Sequence, residues 1–309
     1  MRVCSLLPSA TEIVCALGVG ERLVGVSHEC DYPPEVAALP KLTWSNISPT
    51  LSSAAIDAAV SATLANGDGL YGLDVATLER LQPSLVLTQR LCDVCAVSAD
   101  HVQAAIETLA SKPRVLYLEP HSLEDILCNI GQVAAALGHP DRADALVAKL
   151  RSRIEAIQAA SRNLARPRVF CMEWVDPPYC GGHWMREIVE MAGGEDALSH
   201  RHRPSFRIPW SRVLDYAPEV IVLTCCGCGL LRCLKEAELL AHMPNASQLP
   251  AFREGRVFAT DGSSYFSRSG PRIVDSLEIM AHLIHPEIFA APPLPGSWAK
   301  VRFDRAAAA

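Results

Sequence analysis

The stretch Leu78-Glu79-Arg80-Leu81-Gln82-Pro83-Ser84-Leu85-Val86-Leu87-Thr88 returns in the second half of the chain as Val213-Leu214-Asp215-Tyr216-Ala217-Pro218-Glu219-Val220-Ile221-Val222-Leu223-Thr224. In both, a short helical pattern stops at proline and feeds an apolar run without polar alternation. A run of that kind is a strand buried on both faces, as in a parallel sheet covered by helices. Outward from this pair the repetition continues. Arg2-Val3-Cys4-Ser5-Leu6-Leu7 answers to Arg168-Val169-Phe170-Cys171-Met172-Glu173, and Arg114-Val115-Leu116-Tyr117-Leu118 to Arg256-Val257-Phe258-Ala259-Thr260. Residues 11–18 and 185–193 carry helical patterns that end at glycine, the usual stop signal.

Between the halves, Ala145, Leu146, Leu150, Ile154 and Ile157 recur at helical spacing with no Gly or Pro, which predicts one long helix over residues 141–163. The expected fold class is therefore α/β: two Rossmann-like lobes with parallel sheets, joined by one connecting helix, with a ligand cleft between the lobes. The N-terminal lobe is placed at 1–138, the helix at 139–164, the C-terminal lobe at 165–290 and a loose tail at 291–309. Residues 45–72 have no counterpart in the second half; 52–64 read as a helix and Asn66-Gly67-Asp68-Gly69 as a turn.

Composition narrows the function classes. The chain has 309 residues, enough for two domains, and half of them are apolar with a fifth charged, as in soluble globular proteins. A net charge of −6 offers no basic footprint for nucleic acid. No apolar run approaches the roughly 18 residues of a membrane-spanning helix, so a membrane-embedded protein is not expected. Met1 to Glu12 shows no basic stretch followed by an apolar segment, and the twelve cysteines read as reduced thiols; a cytoplasmic location is the expectation.

In parallel α/β sheets ligands bind beyond the carboxyl ends of the strands. Those positions hold His28 and Cys30; Gln89, Arg90, Cys92 and Cys95; Tyr179, His183 and Trp184; Cys225, Cys226 and Cys228; and Tyr265 with Arg268. Thiols at this density read either as ligands for a metal ion or iron-sulfur cluster, through Cys92, Cys95, Cys225, Cys226 and Cys228, or as small hydrophobes. The aromatics Trp44, Trp174, Tyr179, Trp184, Trp210 and Tyr265 suit a broad, flat ligand, because ring side chains give large contact area with few rotors to freeze. No dinucleotide Gly-x-Gly-x-x-Gly, Walker-type Gly-Lys-Ser/Thr, nucleophile elbow or His-Glu-x-x-His is present, and no catalytic residue is nominated.

Taken in order, Leu7-Pro8-Ser9-Ala10-Thr11-Glu12, Gly25-Val26-Ser27, Asp31-Tyr32-Pro33-Pro34, Thr43-Trp44, Asp176-Pro177-Pro178, Gly193-Gly194-Glu195, Pro209-Trp210 and Tyr265-Phe266-Ser267-Arg268 resemble the cobalamin-binding members of the iron-siderophore and cobalamin periplasmic-binding protein superfamily. The resemblance implies cobalamin or a related corrinoid as the small-molecule ligand, with Tyr32, Trp44, Tyr179, Trp210 and Arg268 as contacts. Family members that dock on an ABC permease carry an acidic knob on each lobe. Glu79 matches the first, whereas Ser211-Arg212 stands in a shortened second, so docking on an importer is not expected. A thiol-dependent enzyme acting on a corrinoid is the third reading.

Overall fold

A computed structural model describes residues 1–90 and 96–303. It divides into two units, residues 1–149 and 150–309, and each is built as the repeat requires.

In the first unit, strands β1 (Val3–Ser5) and β2 (Leu23–Val26) flank helix α1 (Pro8–Ala16). A hairpin of β3 (Thr43–Ser45) and β4 (Tyr71–Leu73) encloses helix α2 (Ser53–Ala65). Then follow α3 (Val75–Leu81), β5 (Leu85–Gln89), α4 (Ala99–Thr108), β6 (Arg114–Leu118) and α5 (Leu123–Ala136). The sheet runs β2-β1-β5-β6, all parallel. Every residue of β1 and β5 is buried, as their unbroken apolar runs demand.

Helix α6 (Pro140–Ser161) contains the division between the units. Within the first, Arg142 Nη1 donates to the carbonyls of Leu17 (2.9 Å) and Gly18 (2.8 Å), the last orphan acceptors of α1. The second unit continues with β7 (Val169–Trp174), β8 (Tyr179–Cys180), α7 (Met185–Met191), α8 (Trp210–Tyr216), β9 (Val220–Leu223), α9 (Leu230–Ala237), α10 (Pro250–Arg253), β10 (Val257–Thr260), α11 (Ile273–Ile284) and β11 (Trp298–Lys300). Its order is β11-β10-β9-β7-β8, with β10, β9 and β7 parallel and both outer strands antiparallel.

The paired sequence stretches thus occupy equivalent places: β1 with β7, β5 with β9, β6 with β10. The resemblance extends to single residues. Gln82 and Ala217, each preceding the proline, both adopt left-handed conformations that stop α3 and α8. Arg2 Nε donates to Leu81 O at 2.7 Å and Arg168 Nε to Ala217 O at 3.0 Å, so the arginine that opens each half caps the helix preceding its neighbouring strand. The tail requires a correction. Residues 298–300 form β11, which pairs with β10, because an unpaired β10 edge would leave its backbone groups without partners.

Candidate functional site

Residues at the carboxyl end of the first sheet gather around Thr43. Its hydroxyl donates to Ser27 Oγ at 3.1 Å and accepts from the His28 backbone N–H at 3.1 Å. His28 Nδ1 lies 2.7 Å from the same hydroxyl oxygen. With the hydroxyl proton directed to Ser27, the arrangement suits Nδ1–H as the donor. Nε2 lies 3.4 Å from Glu29 Oε1, and the Tyr71 ring is 5.8 Å away centre to centre. On the same hairpin Trp44 is half exposed, at 50%. Its ring N–H donates to Asn46 Oδ1 at 3.1 Å, and its face covers Gly72, where a Cβ would lie 2.1 Å from the ring carbons.

The other first-unit candidates divide. Tyr32 is exposed, and Arg90 stacks 4.4 Å over Tyr117 with Glu119 4.0 Å away. Gln89 is buried at the end of β5, and Cys30 is buried with its sulfur 3.1 Å from the Thr11 hydroxyl. Cys30 therefore packs inward, where a small thiol fills space beneath the loop. Cys92 and Cys95 lie outside the described residues.

In the second unit Glu173, at the end of β7, accepts the Gly182 N–H at 2.8 Å and anchors the loop that carries Tyr179 and His183. Burial pushes its carboxyl above the usual carboxylate range. Tyr179 accepts from Arg207 Nε at 3.0 Å, and His183 stacks on Trp184 at 5.6 Å. Trp184 is itself buried, its indole N–H donating to Phe266 O at 3.0 Å. Trp210 donates to Pro244 O at 2.8 Å and packs on the core. Tyr265 lies in a π-helical turn, residues 262–266, under the Arg272 guanidinium at 5.3 Å, while Arg268 is buried. Trp184 and Arg268 are thus buried, whereas Tyr179, His183 and Tyr265 are partly exposed.

The thiols show a comparable division. Cys225 and Cys228 are buried and Cys226 is half-buried. Burial pushes the Cys228 thiol up to about 12, so it is protonated at neutral pH. Among the described residues no three His, Cys, Asp or Glu side chains stand close enough to hold a metal ion, so Cys225, Cys226 and Cys228 do not complete such a site among themselves. The sequence motifs include Thr43 and Glu173 without giving either a role, and they leave out Tyr71 and Arg207; Tyr71 lies near the end of the 45–72 segment that has no counterpart in the repeat. No helix among the described residues is long and apolar enough to cross a membrane.

Comparison with known proteins places these features in a family. The model of the periplasmic binding protein family matches residues 3–263. The vitamin B12-binding protein of Vibrio parahaemolyticus is 25% identical over 285 residues, covering 91% of this chain and 88% of that protein. A Bacillus subtilis protein described as an uncharacterized ABC transporter substrate-binding lipoprotein, YvrC, is 25% identical over 303 residues, 93% of this chain and 81% of its own length. Among solved structures, the periplasmic vitamin B12 binding protein BtuF of Vibrio cholerae aligns with a TM-score of 0.68 at 20% identity, covering 92% of this chain and 96% of that one. The periplasmic heme-binding protein RhuT of Roseiflexus sp. RS-1 aligns at 0.69 with 23% identity, over 92% and 98%.

Proposed function

The chain belongs to the periplasmic binding protein family, which makes it a small-ligand binder, and we propose on that premise that its ligand is cobalamin or a related corrinoid. The observation that carries this reading is Trp44. A half-exposed indole, fixed by its ring N–H and seated on Gly72, is a ready stacking face for a flat macrocycle. Tyr32 adds a second exposed ring in the same unit, and Tyr179 with Arg207 a polar-tipped one in the other. The vitamin B12-binding relatives, 25–26% identical over most of their length, support a corrinoid over other broad ligands.

Heme is the second reading, because heme-binding proteins share the fold and a porphyrin presents a similar flat face. A metal ion or iron-sulfur cluster has less support, since no three-ligand group stands among the described residues. The relative described as an ABC transporter substrate-binding lipoprotein supports an importer as partner, against the expectation drawn from Ser211-Arg212. Glu79, the one matching knob, sits on α3 with Oε2 accepting the Ala110 N–H at 3.2 Å.

The test is titration of purified protein with cyanocobalamin, cobinamide and heme, followed by calorimetry and visible absorption. Corrinoid binding at micromolar concentration is expected, and Trp44→Ala should weaken it by about tenfold, the value of one lost stacking contact of roughly 1.4 kcal/mol. Saturation with heme and no response to either corrinoid would replace the leading reading with the second.

A further inference from the structure

At the amino ends of the second unit's parallel strands, opposite the carboxyl ends that carry the candidate ligand contacts, lies a cavity of about 400 Å³. It is bounded by the segment entering β7, the residues just before β9 and β10, and the end of α11. Pro167 and Ile284 give it an apolar wall, and exposed Arg166 and Pro286 on its margin leave it open to solvent. Two arginines line it. Arg166 Nη2 donates to Glu190 O at 2.8 Å and Gly194 O at 2.9 Å, and Arg256 Nη2 donates to Ile284 O at 2.6 Å. Each guanidinium thus closes the carboxyl end of a helix, α7 or α11, through one nitrogen and keeps the other two available. Neither is ion-paired among the described residues, while the cavity's two glutamates are engaged elsewhere. Glu219 Oε2 accepts the Arg168 N–H at 3.0 Å and lies 3.6 Å from Arg168 Nη1, and Glu287 Oε1 faces His285 Nδ1 at 3.5 Å.

We propose that this cavity binds a small organic oxyanion, a carboxylic acid or phosphate monoester with a compact apolar body, its charged oxygens on Arg166 and Arg256 and its body against Pro167 and Ile284. Two anchored cations without carboxylate partners, beside an apolar wall, suit such a ligand, because the fork of an arginine matches the paired oxygens of a carboxylate or phosphate. Small-molecule sites span about 300–1,000 Å³, and this cavity stands near the lower bound, which selects a compact acid over a macrocycle. Strand β9 separates β7 from β10, so the strands that lead from the two arginines stand about 10 Å apart, room for one aromatic ring between them. The competing reading is that both arginines only cap helices. A cap is satisfied by one nitrogen and needs neither a cavity nor a second unpaired arginine beside it.

The deciding experiment is calorimetry on the full chain in low-salt buffer, with benzoate, phenyl phosphate, acetate and inorganic phosphate as probes. Benzoate or phenyl phosphate should bind at millimolar concentration or below, about tenfold tighter than acetate or inorganic phosphate, and Arg166→Gln/Arg256→Gln should weaken that binding about tenfold. A preference for benzoate assigns the carboxylic acid, and a preference for phenyl phosphate the ester. Both substitutions remove helix caps, so a measurement on wild type stands beside them. The bound probe should slow phenylglyoxal modification of Arg166 and Arg256, read by mass spectrometry, and leave Arg22, tied to Leu137 O in the first unit, unchanged. No heat with any probe, affinities that ignore the apolar body, a folded double variant that binds as wild type does, or unchanged labelling of both arginines overturns the proposal. The titration uses no corrinoid, so its outcome is separate from that of the reading above.

Discussion

Asp196 is fully buried, with Oδ1 accepting the N–H groups of Leu198 and Ser199 at 3.0 Å each and Oδ2 without a hydrogen-bond partner. Burial pushes its carboxyl above the usual range. Unfolded, the group ionises near pH 3.9. Between that value and the raised one, the folded chain holds a proton that the unfolded chain has lost. Its stabilising contribution is full below the unfolded value and is lost as pH rises through the folded one. Asp196→Asn keeps an acceptor for both N–H groups and carries no charge. Relative to wild type it should gain stability in urea unfolding as the pH rises from 4 to 7. A constant difference across that interval would mean that Asp196 ionises at its ordinary pH. Residue identity alone announced none of this: an Asp following Gly193-Gly194-Glu195 reads as a loop residue, and only its zero exposure reveals the cost. The same limit explains Cys30 and Trp184. Position after a strand says where the backbone is, not whether the side chain points out or in.

At the level of elements, what could be read in advance follows from burial. β5 and β9 are apolar at consecutive positions because helices cover both faces, and that signal survives without any alignment. The β3–β4 hairpin was invisible because each strand has three residues and α2, rich in Ala and Ser, intervenes. Yet the hairpin carries Trp44. Gly72→Ala puts a methyl 2.1 Å from the Trp44 ring carbons, and the exposed ring has room to move away. The variant should lose corrinoid affinity about as much as Trp44→Ala does, with a melting temperature within a few degrees of wild type. A large melting loss with affinity retained would show that Trp44 supports the hairpin and not the ligand. On α6, Arg153 is held by Asp275 at 2.5 Å and Glu278 at 2.8 Å, and these two carboxylates raise its pKa further. Arg153→Met leaves the pair of carboxylates facing each other without a cation. A loss of roughly 1–3 kcal/mol in urea unfolding is expected, less than for a fully buried pair because the groups remain 18–31% exposed.

For the molecule as a whole, duplication is the organising fact. The three strand pairs, the left-handed residues Gln82 and Ala217, and the capping arginines Arg2 and Arg168 repeat the same solution twice. The halves part company at the sheet edges: where the first unit adds parallel β2, the second adds antiparallel β8. Ligand binding should register globally. A ligand at a hundred times its dissociation constant adds about 2.7 kcal/mol to folding, so saturating cobinamide should raise the melting temperature by a few degrees, and heme should not if the corrinoid reading holds.

The final strand has a consequence for how copies of the protein tolerate one another in crowded solution. Trp298–Lys300 closes the outer margin of β10 as a hem closes cloth. Cutting the chain after Gly296 would leave a row of amide groups seeking another such margin, and the natural candidate is the same row on a second cut molecule. Light scattering should then show clumping that grows with concentration, while the intact chain stays dispersed.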